Sequence, residues 1–278
     1  MKKQSINACI LRTAGTNCDL ETENALLDLG IQVSRIHIKE LIKKNNLLDY
    51  NLLVLPGGFS YSDYVRAGAI WAKEIISHFK KDINLFLDEG RPIIGICNGF
   101  QVLVETGLLP DIPNLSFSPQ ATVTTNASSR FECRWVSNDD FLYIKNVNKG
   151  KCVFTKKIDS GSLLKMPIAH GEGRISFLKD KEQKYITKLE ENDQLVFRFV
   201  DKNGDFPNQK YPVNPNGSIY DITGICNDDG TVFGLMPHPE RAYYGWQLPD
   251  WTRMENVPIY GDGKLLFDSV VDYISKKF

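Results

Sequence analysis

The apolar residues of this chain come in short blocks of two kinds. Residues 6–11 form a run of strand length, and a loop, Thr13-Ala-Gly-Thr-Asn17, follows it. The spacing from Asp19 to Leu29 predicts a helix that stops at Gly30. Residues 31–38 read as a second strand. Asn51-Leu-Leu-Val-Leu55 reads as a third, ending abruptly at Pro56-Gly57-Gly58. Residues 65–87 carry helical spacing, closed by Gly90-Arg91. Residues 92–96 form a short apolar strand, and 98–106 read as the helix after it. Strands alternating with helices imply an α/β fold, with a mostly parallel central sheet flanked by helices. Ligands in such sheets bind beyond the carboxyl ends of the strands. The Gly57-Gly58 turn and Cys97 both fall there.

From about 117 to 235 the pattern changes. Short β-rich runs appear at 131–136, 195–200 and 231–236, separated by turn signals such as Asn203-Gly204 and Pro215-Asn-Gly217. These runs predict antiparallel additions to the same sheet, so one domain is expected over 1–278. The tail, 245–278, holds an irregular Trp/Pro/Tyr stretch and a final amphipathic helix from about 263.

Composition narrows the function classes. The 278 residues are 42% hydrophobic, enough for a substantial core. The formal charge is −1, from 33 basic and 34 acidic residues, which gives no general pull toward nucleic acid or an anionic membrane. No apolar run approaches the roughly 20 residues that span a bilayer. The N-terminus, Met-Lys-Lys-Gln-Ser, lacks the long apolar core of a signal peptide. A cytoplasmic protein is expected. Six cysteines are present, with no Cys-x-x-Cys pair and no His at zinc-finger spacing. A disulfide framework is not expected without a secretory signal. A buried Cys is by default a small apolar core residue, so Cys97 is judged by its neighbours.

Those neighbours are Gly95-Ile-Cys97-Asn-Gly99, between an apolar strand and a helix. A nucleophile on a sharp strand-to-helix turn needs backbone crowding relieved on both sides, and glycines two residues away meet that need. The helix beginning near Asn98 offers free N–H groups and a positive dipole end, which favour a thiolate and a developing oxyanion. A second motif, Met236-Pro-His238-Pro-Glu240-Arg241, follows another apolar strand. Prolines at 237 and 239 bias the residues before them toward extended geometry. In an extended chain, side chains two apart share a side, so Glu240 is expected to orient the His238 imidazole. Each motif alone has a bland alternative, a turn with a core Cys or a strand-end His with a solvated Glu. Together they form a generalised triad of nucleophile, base and orienting acid.

Paired glycines at a strand end can direct a backbone N–H into a cleft, and acyl chemistry needs two such donors. The Gly58 and Asn98 N–H groups are the candidates. His37 and His78 read as a strand and a helix residue without chemistry. His170, in Ala169-His-Gly-Glu-Gly-Arg174, stays open between a structural loop, an anion site and a subunit contact. No phosphate-binding loop and no metal-ligand spacing occurs, so no cofactor and no metal are expected on this chain.

Gly-Ile-Cys97-Asn-Gly-Phe-Gln101, with Pro-Gly-Gly58 upstream and His238-Pro-Glu240 downstream, resembles the class I (triad) glutamine amidotransferases. The stretches 56–69, Ile168–Arg174, Tyr211–Ser218 and Met236–Arg241 look like the glutaminase subunits of phosphoribosylformylglycinamidine synthases, of purine biosynthesis. The resemblance implies a flavodoxin-like amidotransferase fold. It also implies that the Cys97 thiolate attacks the amide carbon of glutamine, with Gly58 and Asn98 holding the oxyanion and His238, oriented by Glu240, protonating ammonia. Gly57, Gly58 and Gln101 are implied to hold the substrate, and Arg134 and Trp135 to line the same cleft. ATP and magnesium would belong to a separate, larger synthetase subunit, joined by a small bridging subunit. Two departures stand out: Ser62 lies where the family usually has Gly, and 245–278 extends beyond the shorter members. The rival readings are another class I amidotransferase, a γ-glutamyl hydrolase-like or peptidase-like Cys–His hydrolase, and a non-enzymatic binding module.

Overall fold

The computed structural model describes residues 2–112, 117–137 and 140–278. Its centre is a nine-stranded sheet. The strands in chain order are β1 (Asn7–Arg12), β2 (Gln32–His37), β3 (Leu52–Leu55), β4 (Ile93–Ile96), β5 (Thr122–Thr125), β6 (Glu132–Arg134), β7 (Val136–Ser137), β8 (Asp140–Phe141), β9 (Tyr143–Asn146), β10 (Leu163–Lys165), β11 (Ile168–His170), β12 (Glu172–Ser176), β13 (Leu195–Val200), β14 (Ile222–Cys226) and β15 (Val232–Leu235). The helices are α1 (Asp19–Asp28), α2 (Ile38–Lys44), α3 (Ala69–Asp88), α4 (Asn98–Glu105), α5 (Glu182–Glu191) and α6 (Lys264–Lys277).

Across the main sheet the order is β10-β9-β13-β14-β15-β4-β3-β1-β2. From β15 to β2 every pairing is parallel. The pairs from β10 to β15 are antiparallel. The inner strands β3, β4 and β15 are buried at every position, as parallel strands covered on both faces require. Helix α3 buries Trp71, Ala72, Ile75, Phe79, Ile83 and Phe86, one stripe at helical spacing. Helix α4 is buried along its whole length, because it runs between the sheet and the units added after residue 117. The tail is not an appendage: α6 buries Leu266, Phe267, Val270, Val271 and Ile274, and the Tyr273 hydroxyl donates to Gly90 O at 2.8 Å. No helix among the described residues is long and apolar enough to cross a membrane.

The expected α/β sheet is present, with three corrections. First, the 231–236 run is not an antiparallel addition. As β15 it pairs parallel with β4 and antiparallel with β14, so it joins the two halves of the sheet. Second, the pairs β5/β12, β6/β11 and β7/β8 form separate two-stranded units off the main sheet. Third, α3 begins at Ala69, not near 65. The chain before it takes positive φ at Tyr61, Ser62, Asp63 and Val65, which no α-helix contains. Ser62, at φ 55°, sits in the left-handed region that glycine occupies without strain, which gives a physical reason for the glycine that the resemblance leads one to expect there. Helices α2 and α5 are additions that the apolar spacing did not reveal. α2 has only seven residues and α5 buries only Ile186 and Leu189.

Candidate active site

Four loops meet at the carboxyl end of the parallel strands. Cys97 occupies the single residue between β4 and α4. Its backbone is at φ 51°, ψ −104°, a conformation that costs a non-glycine residue about 1–3 kcal/mol. It is pinned by Cys97 N–H to Leu235 O at 2.8 Å and by Gln101 N–H to Cys97 O at 3.1 Å. The flanking glycines do not carry the strain. A Cβ on Gly99 would lie 1.8 Å from Leu55 O, and one on Gly95 would lie 2.5 Å from Gly99 O. They let α4 start hard against β3 and β4, which leaves Cys97 to absorb the turn. The side chain is buried, with its thiol directed to Ala169 O at 3.5 Å.

His238 and Glu240 are buried beside it. His238 is extended (φ −106°, ψ 92°), but Pro239–Ala242 is a 3₁₀ turn. The expected strand-like alternation is therefore corrected: the turn brings Glu240 back to the imidazole. Nδ1 lies 2.5 Å from Glu240 Oε1. Burial alone would push the imidazole pKa down. Glu240, then the nearby Cys97 and Cys18 thiols, override it and hold His238 well above the usual histidine value. His238 Nε2 has no hydrogen bond among the described residues, so neither thiol is in formed bonding geometry with it. Such catalytic bonds tighten when substrate arrives.

The candidate oxyanion donors are free. Asn98 opens α4, so its N–H has no partner within the helix. Gly58, at φ 143°, makes no backbone donation among the described residues, whereas Phe59 N–H bonds Gly15 O at 2.9 Å. Gly57 faces the other way. Its carbonyl accepts from Cys18 N–H at 3.2 Å, and a Cβ there would meet His238 Cε1 at 2.9 Å and Cys18 Sγ at 3.0 Å. Gly57→Ala is expected to displace the imidazole and lower kcat/KM for the reaction at Cys97 by about 100-fold, as misplacement of a reacting group by an ångström does. Steady-state rates beside a thermal melt check it, since an unchanged rate in a folded variant would show that Gly57 sets no geometry.

A cavity of about 130 Å³ opens on Cys97 and is lined by Gly58, Phe59, Asp63, Gln101, Phe131 and Glu172 among others. Gln101 is held in the wall, with Oε1 accepting from Asn98 Nδ2 at 2.9 Å and Nε2 donating to Glu172 O. Gly57 does not line it, and neither do Arg134 and Trp135. Arg134 Nη2 is bound to Glu132 and donates to the Tyr211 hydroxyl at 2.7 Å, outside the cavity. A larger cavity of about 620 Å³, at the opposite end of the sheet by Asp111, Asp228 and Asp229, has no Cys or His in its wall.

His170 lines the cavity and is buried. Asn216 Oδ1 accepts from Ser218 N–H and Oγ–H at 3.0 and 2.8 Å. Its amide nitrogen therefore donates, to Gly173 O at 2.9 Å and to His170 Nε2 at 3.2 Å. That assigns the ring proton to Nδ1, which has no partner among the described residues. Burial, with the His238 charge adding, pushes the His170 pKa down to about 3, so the ring is neutral and offers an anion no charge. His37 and His78 lie apart from the cavity, as expected. His37 Nδ1 accepts from Lys39 N–H at 3.2 Å, and His78 is on the exposed face of α3.

Cys18, Asp63 and Glu172 escaped the sequence reading. Cys18 Sγ accepts from Arg241 Nη2 at 3.2 Å and touches the imidazole region only because the Thr13–Asn17 loop folds over Gly57. Cys18, His238 and Glu240 place one ligand atom each within 4.8 Å of one another, a donor set of metal-site size among the described residues. Its imidazole and carboxylate are already bonded to each other.

Residues 5–274 match the family described as the CobB/CobQ-like glutamine amidotransferase domain. The chain is 45% identical to the phosphoribosylformylglycinamidine synthase subunit PurQ of Archaeoglobus fulgidus, covering 99% of this chain and 100% of the relative. It is 43% identical to the PurQ subunit of Picrophilus torridus, covering 95% and 96%. Among solved structures it resembles PurLQS from Thermotoga maritima, with TM-score 0.70, 32% identity, and 97% and 99% of the two chains covered. A putative GMP synthase protein from Thermoplasma acidophilum, at 13% identity and TM-score 0.53, with 98% and 95% of the two chains covered, shares the fold. The chain belongs to the CobB/CobQ-like glutamine amidotransferases and, within them, to the PurQ type, the glutaminase subunits of phosphoribosylformylglycinamidine synthase.

Proposed function

We propose that this chain, acting over 1–278 as one amidotransferase domain in the cytoplasm, hydrolyses glutamine and passes the ammonia to an ATP-dependent synthetase of purine biosynthesis. The observation that carries the chemistry is the strained Cys97 elbow beside the buried His238–Glu240 couple. Cys97, as thiolate, attacks the side-chain amide carbon of glutamine. The C–N bond breaks as the His238 imidazolium gives its proton to the departing ammonia, leaving a γ-glutamyl thioester on Sγ. Neutral His238 then takes a proton from water, which attacks the thioester and releases glutamate. The oxyanion of each step lies at the free N–H groups of Gly58 and Asn98, and losing one such donor costs about 3–4 kcal/mol.

Every step uses side chains and backbone of this chain, so the proposal needs no cofactor here. ATP and magnesium act on the partner, which converts formylglycinamide ribonucleotide to formylglycinamidine ribonucleotide. The Thermotoga relative is part of a PurLQS structure. Its partners here are accordingly a larger synthetase and a small bridging protein. Reconstitution tests the proposal. The three subunits together should form product from glutamine, while omitting this chain should leave synthesis dependent on added ammonium. Glutamine-dependent product without this chain would overturn it.

A further inference from the structure

The cavity that opens on Cys97 contains two carboxylates for which the steps above have no use. Asp63 and Glu172 both line it. They interact with each other electrostatically, and neither forms a salt bridge among the described residues. The Arg66 guanidinium feels the Glu172 charge but is bonded to Glu105: its Nε donates to Glu105 Oε1 at 2.7 Å, and its Nη2 bonds the other oxygen. Glu172 Oε2 accepts one backbone bond, from Ala67 N–H at 3.3 Å. Asp63 Oδ1 is buried with no partner. Burial first, then Glu172, pushes the Asp63 pKa up to about 6, the mark of a carboxylate that lacks a cation. The same wall holds His170, only 2% exposed, with its Nδ1 also unpartnered. The two carboxylates are thus short of a positively charged partner next to the nucleophile, while the His170 Nδ1–H is a donor short of an acceptor.

Free glutamine is a zwitterion, and its α-ammonium end supplies that charge. Its amide carbon and its α-ammonium group stand at the two ends of a short flexible chain, one for Sγ and one for a carboxylate. We propose that Asp63 and Glu172 bind the α-ammonium group of glutamine and so restrict the nucleophile to the free amino acid, excluding simple amides and glutamine whose α-nitrogen is acylated. This rests on the glutaminase reading of Cys97. Asp63 reaches the cavity because the chain at 61–63 turns through consecutive positive-φ residues, and Glu172 because it begins β12, directly after the turn from β11.

The experiment compares glutamine with glutaramate, the same molecule without its α-amino group, in the assembled complex. The wild type should prefer glutamine strongly. Asp63→Asn and Glu172→Gln should each lower that preference about 10- to 100-fold, mainly through KM for glutamine, as loss of a charge-assisted bond does. Alkylation of Cys97 by iodoacetamide, which carries no ammonium, reports whether the variants keep the nucleophile in place. A preference that is unchanged, or that falls only with a matching loss of iodoacetamide labelling, overturns the subsite. A wild-type complex that releases no ammonia from glutamine overturns the glutaminase reading itself.

Discussion

Replacing Cys97 with alanine is expected to lower glutamine hydrolysis by about 10⁵-fold or more, because the thioester forms on its sulfur. Ammonia-dependent synthesis by the assembled enzyme should survive, since that chemistry belongs to the partner. The fold should survive too. Alanine keeps the Cβ and therefore the same backbone strain at φ 51°, and it vacates a thiol whose one hydrogen bond, to Ala169 O, is long at 3.5 Å. The variant separates loss of chemistry from loss of structure better than Cys97→Gly, which would relax the elbow. Labelling adds a second, independent readout. A glutamine-analogue alkylator should leave one adduct, mapped to Cys97 by mass and absent from the variant. An adduct on Cys18, the other buried thiol near His238, would move the nucleophile to the loop after β1.

Cys97, His238 and Glu240 were legible in the sequence because each lies just beyond an apolar run whose period announces a strand. Position in such a run fixes position in the site. The pairing of His238 with Glu240 was foreseen through the wrong geometry: the prolines suggested an extended chain, whereas Pro239 opens a 3₁₀ turn that does the work. What stayed hidden has one physical cause. Asp63, Glu172 and Cys18 reach the site from irregular or short segments, where no hydrophobic period exists to read. Asp63 lies in a run of positive-φ residues that includes Tyr61 and Val65, which ordinary turn chemistry does not predict. The walls formed by β6/β11 and β5/β12 carry only three to five residues per strand, and their pairing is set by tertiary contact. Arg134 and Trp135 were placed in the cleft by the resemblance alone, and the three-residue strand β6 that ends at Arg134 carries no sequence signal for which way they turn.

Glu240→Gln should cost about 10³- to 10⁴-fold in kcat/KM at neutral pH while leaving the side-chain volume unchanged. The loss has two parts that pH separates. In the wild type, Glu240 is the largest influence raising the His238 pKa, acting against burial. The imidazolium that protonates departing ammonia therefore persists through neutral pH, and activity should fall only where it deprotonates, well above the ordinary histidine value. Glu240→Gln removes that charge and leaves only the Cys97 and Cys18 thiols to oppose burial, so that alkaline limb should move to lower pH. Stability follows the same linkage. A histidine whose folded pKa is raised contributes stability that is fully present below the unfolded value of about 6.5 and is lost as pH rises through the folded value. The difference in melting temperature between wild type and Glu240→Gln should accordingly be widest in mild acid and close as pH rises. An alkaline limb at the same pH in both proteins would mean that Glu240 only fixes the ring's orientation and does not hold its charge.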